Sequence, residues 1–202
     1  LTQLSINAAS IDLHDGSVNT TGNQAYAGTT TLHTDTTLSS LGGQVALNGA
    51  VQGVSNGGQA LVIAAPQAII SQSVGTTGTR LKSITTTGAL NLAGGQVFTT
   101  GAQQYQGITT LQANTTLTST AGDVIFGNAL NADTGGTRSL AINTSGITRF
   151  TGAVGASVAL ASLTTDAAGS TELGQGARTT GAQTYNDHVT LTGAAGPRTL
   201  QG

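Results

Sequence analysis

The densest group of potentially reactive side chains is the tetrapeptide Asp12-Leu13-His14-Asp15. Side chains two residues apart on an extended strand point to the same side, so Asp12 and His14 would lie together. A carboxylate and an imidazole so placed could exchange protons with a substrate, as carboxylates do during glycan cleavage. No second carboxylate can be placed beside the pair from sequence alone. We interpret Asp12, His14 and Asp15 as a weak polar cluster on a variable surface, with a local site as the alternative.

The three tyrosines share one local phrase, Thr-Thr-Gly-x-Gln-x-Tyr, which ends at Tyr26, Tyr105 and Tyr185. Aromatic rings with a hydroxyl can stack on a ligand such as a sugar, and three equivalent rings could form a ligand stripe. The same rings could instead pack at corners of the fold with their hydroxyls hydrogen-bonded. We favour packing and retain the ligand stripe as the alternative.

Other reactive groups show no motif. The histidines are too far apart in the sequence to suggest the spacing of metal ligands; they are His14, His33 and His188. The calcium-binding nonapeptide, the phosphate-binding glycine loop and the Gly-x-Ser-x-Gly elbow are absent from the sequence. The sequence therefore predicts no catalytic residues, no metal and no cofactor.

The tyrosine phrase belongs to a long internal repeat, because its three copies lie at nearly equal spacing along the chain. Self-similarity at a fixed period, here about 80 residues, is the mark of an array. Apolar residues, glycines and threonines recur, whereas charges drift: Asp12 corresponds to Asn91, and Gln44 to Asp123. The chain divides into a partial repeat 1–19, repeats 20–98 and 99–178, and a partial repeat 179–202. We interpret it as one continuous segment, without caps, of a longer array.

Composition narrows the class of protein. Charged residues make up 7% of the chain, against about 25% in ordinary soluble domains. The net charge of −2 offers no basic patch for nucleic acid. No apolar run approaches the roughly 18 residues that would favour insertion into a bilayer, and there is no Cys. This composition is typical of an extracellular structural β protein.

Short alternating segments predict strands, for example Val45-Ala46-Leu47 and Leu90-Asn91-Leu92. Gly-Gly-Gln recurs at 42–44, 57–59 and 94–96 and predicts sharp turns between strands. A string of immunoglobulin-like sandwiches would need more aromatic residues and linkers at the repeat junctions. We therefore predict an all-β right-handed parallel β-helix of about 10 coils, about four per repeat. At ~4.8 Å per coil its length would be about 50 Å.

The Thr-rich strands, the tyrosine phrase and the phrases x-Thr-Thr-Leu and Gly-Gly-x-Val carry a family resemblance across the whole chain. The chain resembles the repetitive regions of filamentous-haemagglutinin-like exoproteins and related bacterial adhesins. That resemblance implies a secreted β-helical protein, displayed on or released from Gram-negative cells after crossing a pore unfolded.

The leading functional prediction is a structural, non-enzymatic stalk or scaffold segment of a secreted or cell-surface fibrous adhesin. Its partners would be host-cell or matrix glycans and proteins, bound through regions outside this segment. One alternative is the subunit of an extracellular filament that associates end to end or side by side. A second alternative is a glycan-binding or glycan-cleaving β-helix.

Overall fold

The computed structural model describes residues 1–193 and 199–202. Its 26 strands are joined only by parallel pairing, and no helix occurs in this part of the chain. The backbone winds as a β-solenoid in which each coil, one full turn of the chain, passes through three faces in the order A, B, C. This is the predicted all-β solenoid rather than a string of sandwiches, and its handedness stays a prediction.

Each face is a stack of strands from successive coils. Face A contains β1 (Leu4–Ile6), β4 (Gln24–Tyr26), β7 (Gln44–Leu47), β10 (Gln67–Ile70), β12 (Ala89–Leu92), β15 (Thr109–Leu111), β18 (Leu130–Ala132), β23 (Ala177–Arg178) and β26 (Leu200–Gln201). Face B contains β2 (Ser10–Leu13), β5 (Thr29–Leu32), β8 (Val51–Gly53), β13 (Gln96–Thr99), β16 (Thr115–Ser119), β19 (Ser139–Thr144), β21 (Ser162–Thr165) and β24 (Gln183–Tyr185).

Face C contains β3 (Ser17–Thr20), β6 (Thr36–Ser40), β9 (Ala60–Ala64), β11 (Ser83–Thr86), β14 (Gln103–Tyr105), β17 (Val124–Phe126), β20 (Ile147–Phe150), β22 (Ser170–Leu173) and β25 (His188–Leu191). Single bridging residues fill the two remaining positions. Val74 joins β8 to β13 on face B, and Val154 joins β18 to β23 on face A. The nine strands of face C mark nine coils, and β26 begins a tenth, close to the predicted 10.

One core fills the interior without a break at the repeat junctions. Alternate residues of each strand point inward, as the period of two requires; in β16, for example, residues 115, 117 and 119 are buried. Three of the few aromatic rings form a stack in this core. The centroids of Tyr105 and Phe126 are 5.1 Å apart, and those of Phe126 and Phe150 are 5.3 Å apart. These distances lie in the favourable range for aromatic pairs.

The sequence repeat does not contain a whole number of coils. Counting Val74 as one strand position, β4 to β13 make eleven positions, and β14 begins the next copy of the tyrosine phrase. Eleven positions on three faces are three and two-thirds coils, slightly fewer than the four predicted. Each copy is therefore turned by one face relative to the copy before it. Tyr26 lies on face A, Tyr105 on face C and Tyr185 on face B.

Close contact between coils explains why glycine recurs two residues after the tyrosine. A Cβ on Gly28 would lie 1.9 Å from the carbonyl oxygen of Ala8, and one on Gly107 would lie 2.2 Å from that of Gly88. Side-chain atoms do not approach backbone oxygens so closely, so these corners accept only glycine.

Candidate functional site

The tyrosine phrase builds an internal hydrogen-bonded clamp. In the second repeat, the Tyr105 hydroxyl donates to Gln103 Oε1 at 2.9 Å. Gln103 Nε2 lies within hydrogen-bonding distance of the Thr99 hydroxyl (3.1 Å), the Val97 carbonyl (3.4 Å) and the Thr118 carbonyl (3.0 Å). Val97 and Thr118 belong to successive coils, so one buried amide links them. A buried amide satisfied in this way stabilises one arrangement of the core.

The same clamp occurs in the other two copies. The Tyr26 hydroxyl donates to Gln24 Oε1 at 2.8 Å, and the Tyr185 hydroxyl donates to Gln183 Oε1 at 3.1 Å. The first threonine of each phrase donates its hydroxyl proton at 2.6 Å to the carbonyl of the glycine two residues later; these threonines are Thr20, Thr99 and Thr179. The first threonine, the glutamine and the tyrosine of each phrase thus have hydrogen-bond partners within the fold.

The tyrosines of the clamps are buried or half-buried, and they keep their phenol protons. Tyr26 and Tyr105 are buried and Tyr185 is half-buried. Burial raises the pKa of Tyr26 and Tyr105, and raises that of Tyr185 to about 12, so all three phenols keep the proton that they donate. The three rings point inward on three different faces. This arrangement is packing at corners of the fold, and one ligand could not contact the rings as an outward stripe.

The cluster around Asp12 lies on the outer surface of the first two coils. Asp12 Oδ1 is 3.1 Å from His33 Nε2. The rings of His14 and His33 are stacked with centroids 3.8 Å apart. Asp15 is exposed beside them. Distance along the sequence does not indicate that His33 is a neighbour of His14, because the solenoid brings residues one coil apart into contact. The length of one coil is the signal that would have placed His14 and His33 together.

This cluster offers little for catalysis. The side chains of Asp12 and His33 are 53% and 32% exposed. In the described residues, no three His, Asp, Glu or Cys side chains are arranged to share a metal ion. The geometry gives an exposed contact between a carboxylate and an imidazole, and exposed polar pairs contribute about 0–1 kcal/mol even when both groups are charged.

The third copy departs from the other two at Asp187, which occupies the position of Gly28 and Gly107. Its carboxylate accepts hydrogen bonds from the hydroxyls of Thr165 (3.0 Å) and Thr171 (2.8 Å), both buried. The corner beneath Asp187, residues 166–169, is longer than the corner 87–88 beneath Gly107, which leaves room for a side chain.

A cleft of about 900 Å³ lies on the outer corner between faces C and A, from coil seven to the start of coil ten. Arg149 and Glu172 are register partners on neighbouring strands, and Arg149 Nε donates to Glu172 Oε2 at 2.6 Å. This hydrogen bond is the largest cause of the raised pKa of Arg149, and the charges of Glu172 and Asp123 add to it. Arg178 also lines the cleft. Sequence reasoning missed these residues because they belong to no motif.

Comparison with family models, with curated proteins and with solved structures finds no match for this chain. Residues 1–193 and 199–202 contain no helix with the length and apolar character needed to cross a membrane.

Proposed function

We propose that the chain is a structural, non-enzymatic stalk or scaffold segment of a secreted or cell-surface fibrous adhesin. The observation that carries the proposal is the uninterrupted core, which passes through all three repeat junctions with paired strands continuing across each of them. A protein built this way extends by adding coils, and each coil contacts only its neighbours. Its mechanical role is to set a distance.

The tyrosine clamps support this role. Each places a side-chain amide between two coils, so the recurring residues are used to hold coils together rather than to contact a ligand. The resemblance of the repeat phrases to filamentous-haemagglutinin-like exoproteins supports the adhesin context and an extracellular location. Receptor-binding regions would lie elsewhere, carried at the distance that the rod sets.

A spacer assay tests the proposal. Two compact reporter proteins are fused to the ends, and their separation is measured in the full chain and in a chain lacking residues 20–98. The deletion joins residue 19 to Thr99, which is the repeat equivalent of Thr20. The order of strands and corners along the chain is therefore kept. Nine coils at ~4.8 Å predict a rod of about 43 Å, and the deletion should shorten it by about 18 Å.

A matched control exchanges the deleted repeat for the sequence of the other copy, which should restore the full separation. The proposal fails if the separation does not change with the number of coils, or if the reporters adopt a broad range of distances that a rigid spacer would not allow.

A further inference from the structure

Three charged residues that have no charged counterpart in the preceding copy line one cleft. The chain has only six basic and eight acidic residues, yet Arg149, Glu172 and Arg178 all line the cleft between faces C and A. One repeat earlier, eleven strand positions back, the corresponding residues are Ile69, Asn91 and Phe98. The cleft is therefore charged in one copy only, whereas the core beneath it follows the repeat.

Two guanidinium groups in the cleft keep N–H donors available. The Arg178 side chain is exposed and makes no hydrogen bond or ion pair with any residue that the structure describes. Arg149 uses Nε for Glu172, which leaves its terminal nitrogens without a partner among residues 1–193 and 199–202. A guanidinium with free parallel donors recognises a carboxylate through two hydrogen bonds.

The remaining lining is suited to a sugar. Ala153 and Ala156 give the cleft apolar surface above the buried Val154 and Ala177, while Thr151 and Gln175 place a hydroxyl and an amide beside it. A sugar ring likewise has an apolar C–H face and an edge of hydroxyls. The volume of about 900 Å³ lies within the roughly 300–1,000 Å³ of small-molecule sites. Among the residues that the structure describes, the cleft has two cations and one carboxylate, which is too little positive charge for a nucleic-acid backbone.

We propose that this cleft binds a short saccharide bearing a carboxylate, such as a uronic-acid oligomer. Arg178 binds the carboxylate, the Arg149–Glu172 pair contacts ring hydroxyls, and Ala153 and Ala156 contact the C–H face of a ring. This is a binding site on the side of the rod and goes beyond the spacer role.

The test is an NMR and calorimetric titration of the full chain with trigalacturonate, using neutral maltotriose as the comparison ligand. Saturable binding of trigalacturonate is expected, with amide shifts confined to the cleft. Arg178→Gln should weaken binding by about tenfold or more, because a charge-assisted hydrogen-bond pair is lost. Arg138→Gln is the matched control. It removes an arginine that pairs with Asp133 outside the cleft and should leave affinity within about twofold.

Three results would overturn the proposal. The first is no saturable binding of trigalacturonate up to about 10 mM. The second is an equal loss of affinity in Arg178→Gln and Arg138→Gln, both shown to be folded by circular dichroism. The third is equal binding of maltotriose. None of these results bears on the spacer assay, so the two proposals can fail separately.

Discussion

The hydroxyl of Tyr105 lies 2.9 Å from Oε1 of Gln103, two residues earlier on the same inward-facing side of β14, and both side chains are buried. The amide of Gln103 then reaches carbonyl oxygens of two successive coils. This pair converts a repeated sequence phrase into a contact between coils. It is the reason that glutamine and tyrosine recur at this spacing in an otherwise aliphatic core.

Replacing Gln103 should destabilise the solenoid. Gln103→Leu leaves the Tyr105 hydroxyl without its acceptor and removes the side-chain donor that two strand carbonyls share, which we expect to cost about 2–4 kcal/mol of unfolding free energy. The measurement is equilibrium unfolding in urea. Gln104→Leu is the matched control, because Gln104 is the outward neighbour on the same strand. An equal loss in both variants would contradict a specific role for the clamp.

Phe126 should be far more important for stability than Phe98. Phe126 is fully buried between the rings of Tyr105 and Phe150, and Phe126→Ala should cost about 3–5 kcal/mol. Phe98 points outward from β13 and is half-buried, so Phe98→Ala should cost about 1 kcal/mol or less. Thermal unfolding of both variants shows which substitution lowers stability more. A larger loss for Phe98→Ala than for Phe126→Ala would mean that Phe98, and not Phe126, faces the core.

Glycine at the coil corners should resist substitution where another coil lies against it. In Gly107→Ala the new methyl group would lie 2.2 Å from the Gly88 carbonyl oxygen, so the coils must separate. We expect a loss of about 2 kcal/mol or more. Gly78→Ala is the control, because nothing lies within 4 Å of its added Cβ, and it should be neutral or raise stability by up to about 1 kcal/mol. Urea midpoints that do not separate the two variants would argue against the close corner.

Asp35 should act through its oxygen more than through its charge. The Ala60 N–H donates to Asp35 Oδ1 at 2.9 Å, and this hydrogen bond, helped by Lys82, lowers the pKa of Asp35 below its ordinary value. Because the pKa of Asp35 is lower in the folded chain than in the unfolded chain, its carboxylate stabilises the fold at a pH above the unfolded-state pKa. This stabilisation is lost as the pH falls through the folded-state pKa. Asp35→Asn keeps the acceptor, so it should unfold as the parent does at neutral pH and lose less stability below about pH 4.

Asp35→Ala is the complementary variant for this test, because it removes the acceptor and should lower the urea midpoint at both pH values. Equal stability of the alanine and asparagine variants at neutral pH would show that the hydrogen bond to Ala60 contributes nothing measurable.

The same hydrogen bond explains why charges drift between copies. Asp35 corresponds to Asn114, whose Oδ1 accepts from the Ser139 N–H at 3.0 Å, just as Asp35 accepts from Ala60. What recurs is a side-chain oxygen at a corner that meets the first N–H of a strand in the next coil. Aspartate and asparagine both supply it, so selection for the fold does not fix the charge.

The strands and the solenoid were predictable because period-two alternation and the repeat depend on local residue types such as Val45, Leu47 and Gly43. The rotation between copies was not predictable from the sequence, because it depends on how many strand positions one repeat contains. Single-residue positions such as Val74 do not have the pattern of a strand and are not counted. The cleft around Arg149 and Glu172 was hidden for a similar reason. Those residues are 23 positions apart in the sequence, and only the coil length makes them neighbours.

Successive copies of the repeat are turned by one face along a continuous solenoid. Distances between pairs of spin labels can measure this rotation, because the chain has no native cysteine. Ala25 and Thr110 both point outward on face A, four coils apart, and should be about 19 Å apart at the backbone. Ala25 and Gln104 are equivalent in the repeat but lie on faces A and C, so their labels should be clearly farther apart. A shorter distance for Ala25 and Gln104 would mean that equivalent residues stack on one face, and would contradict the account.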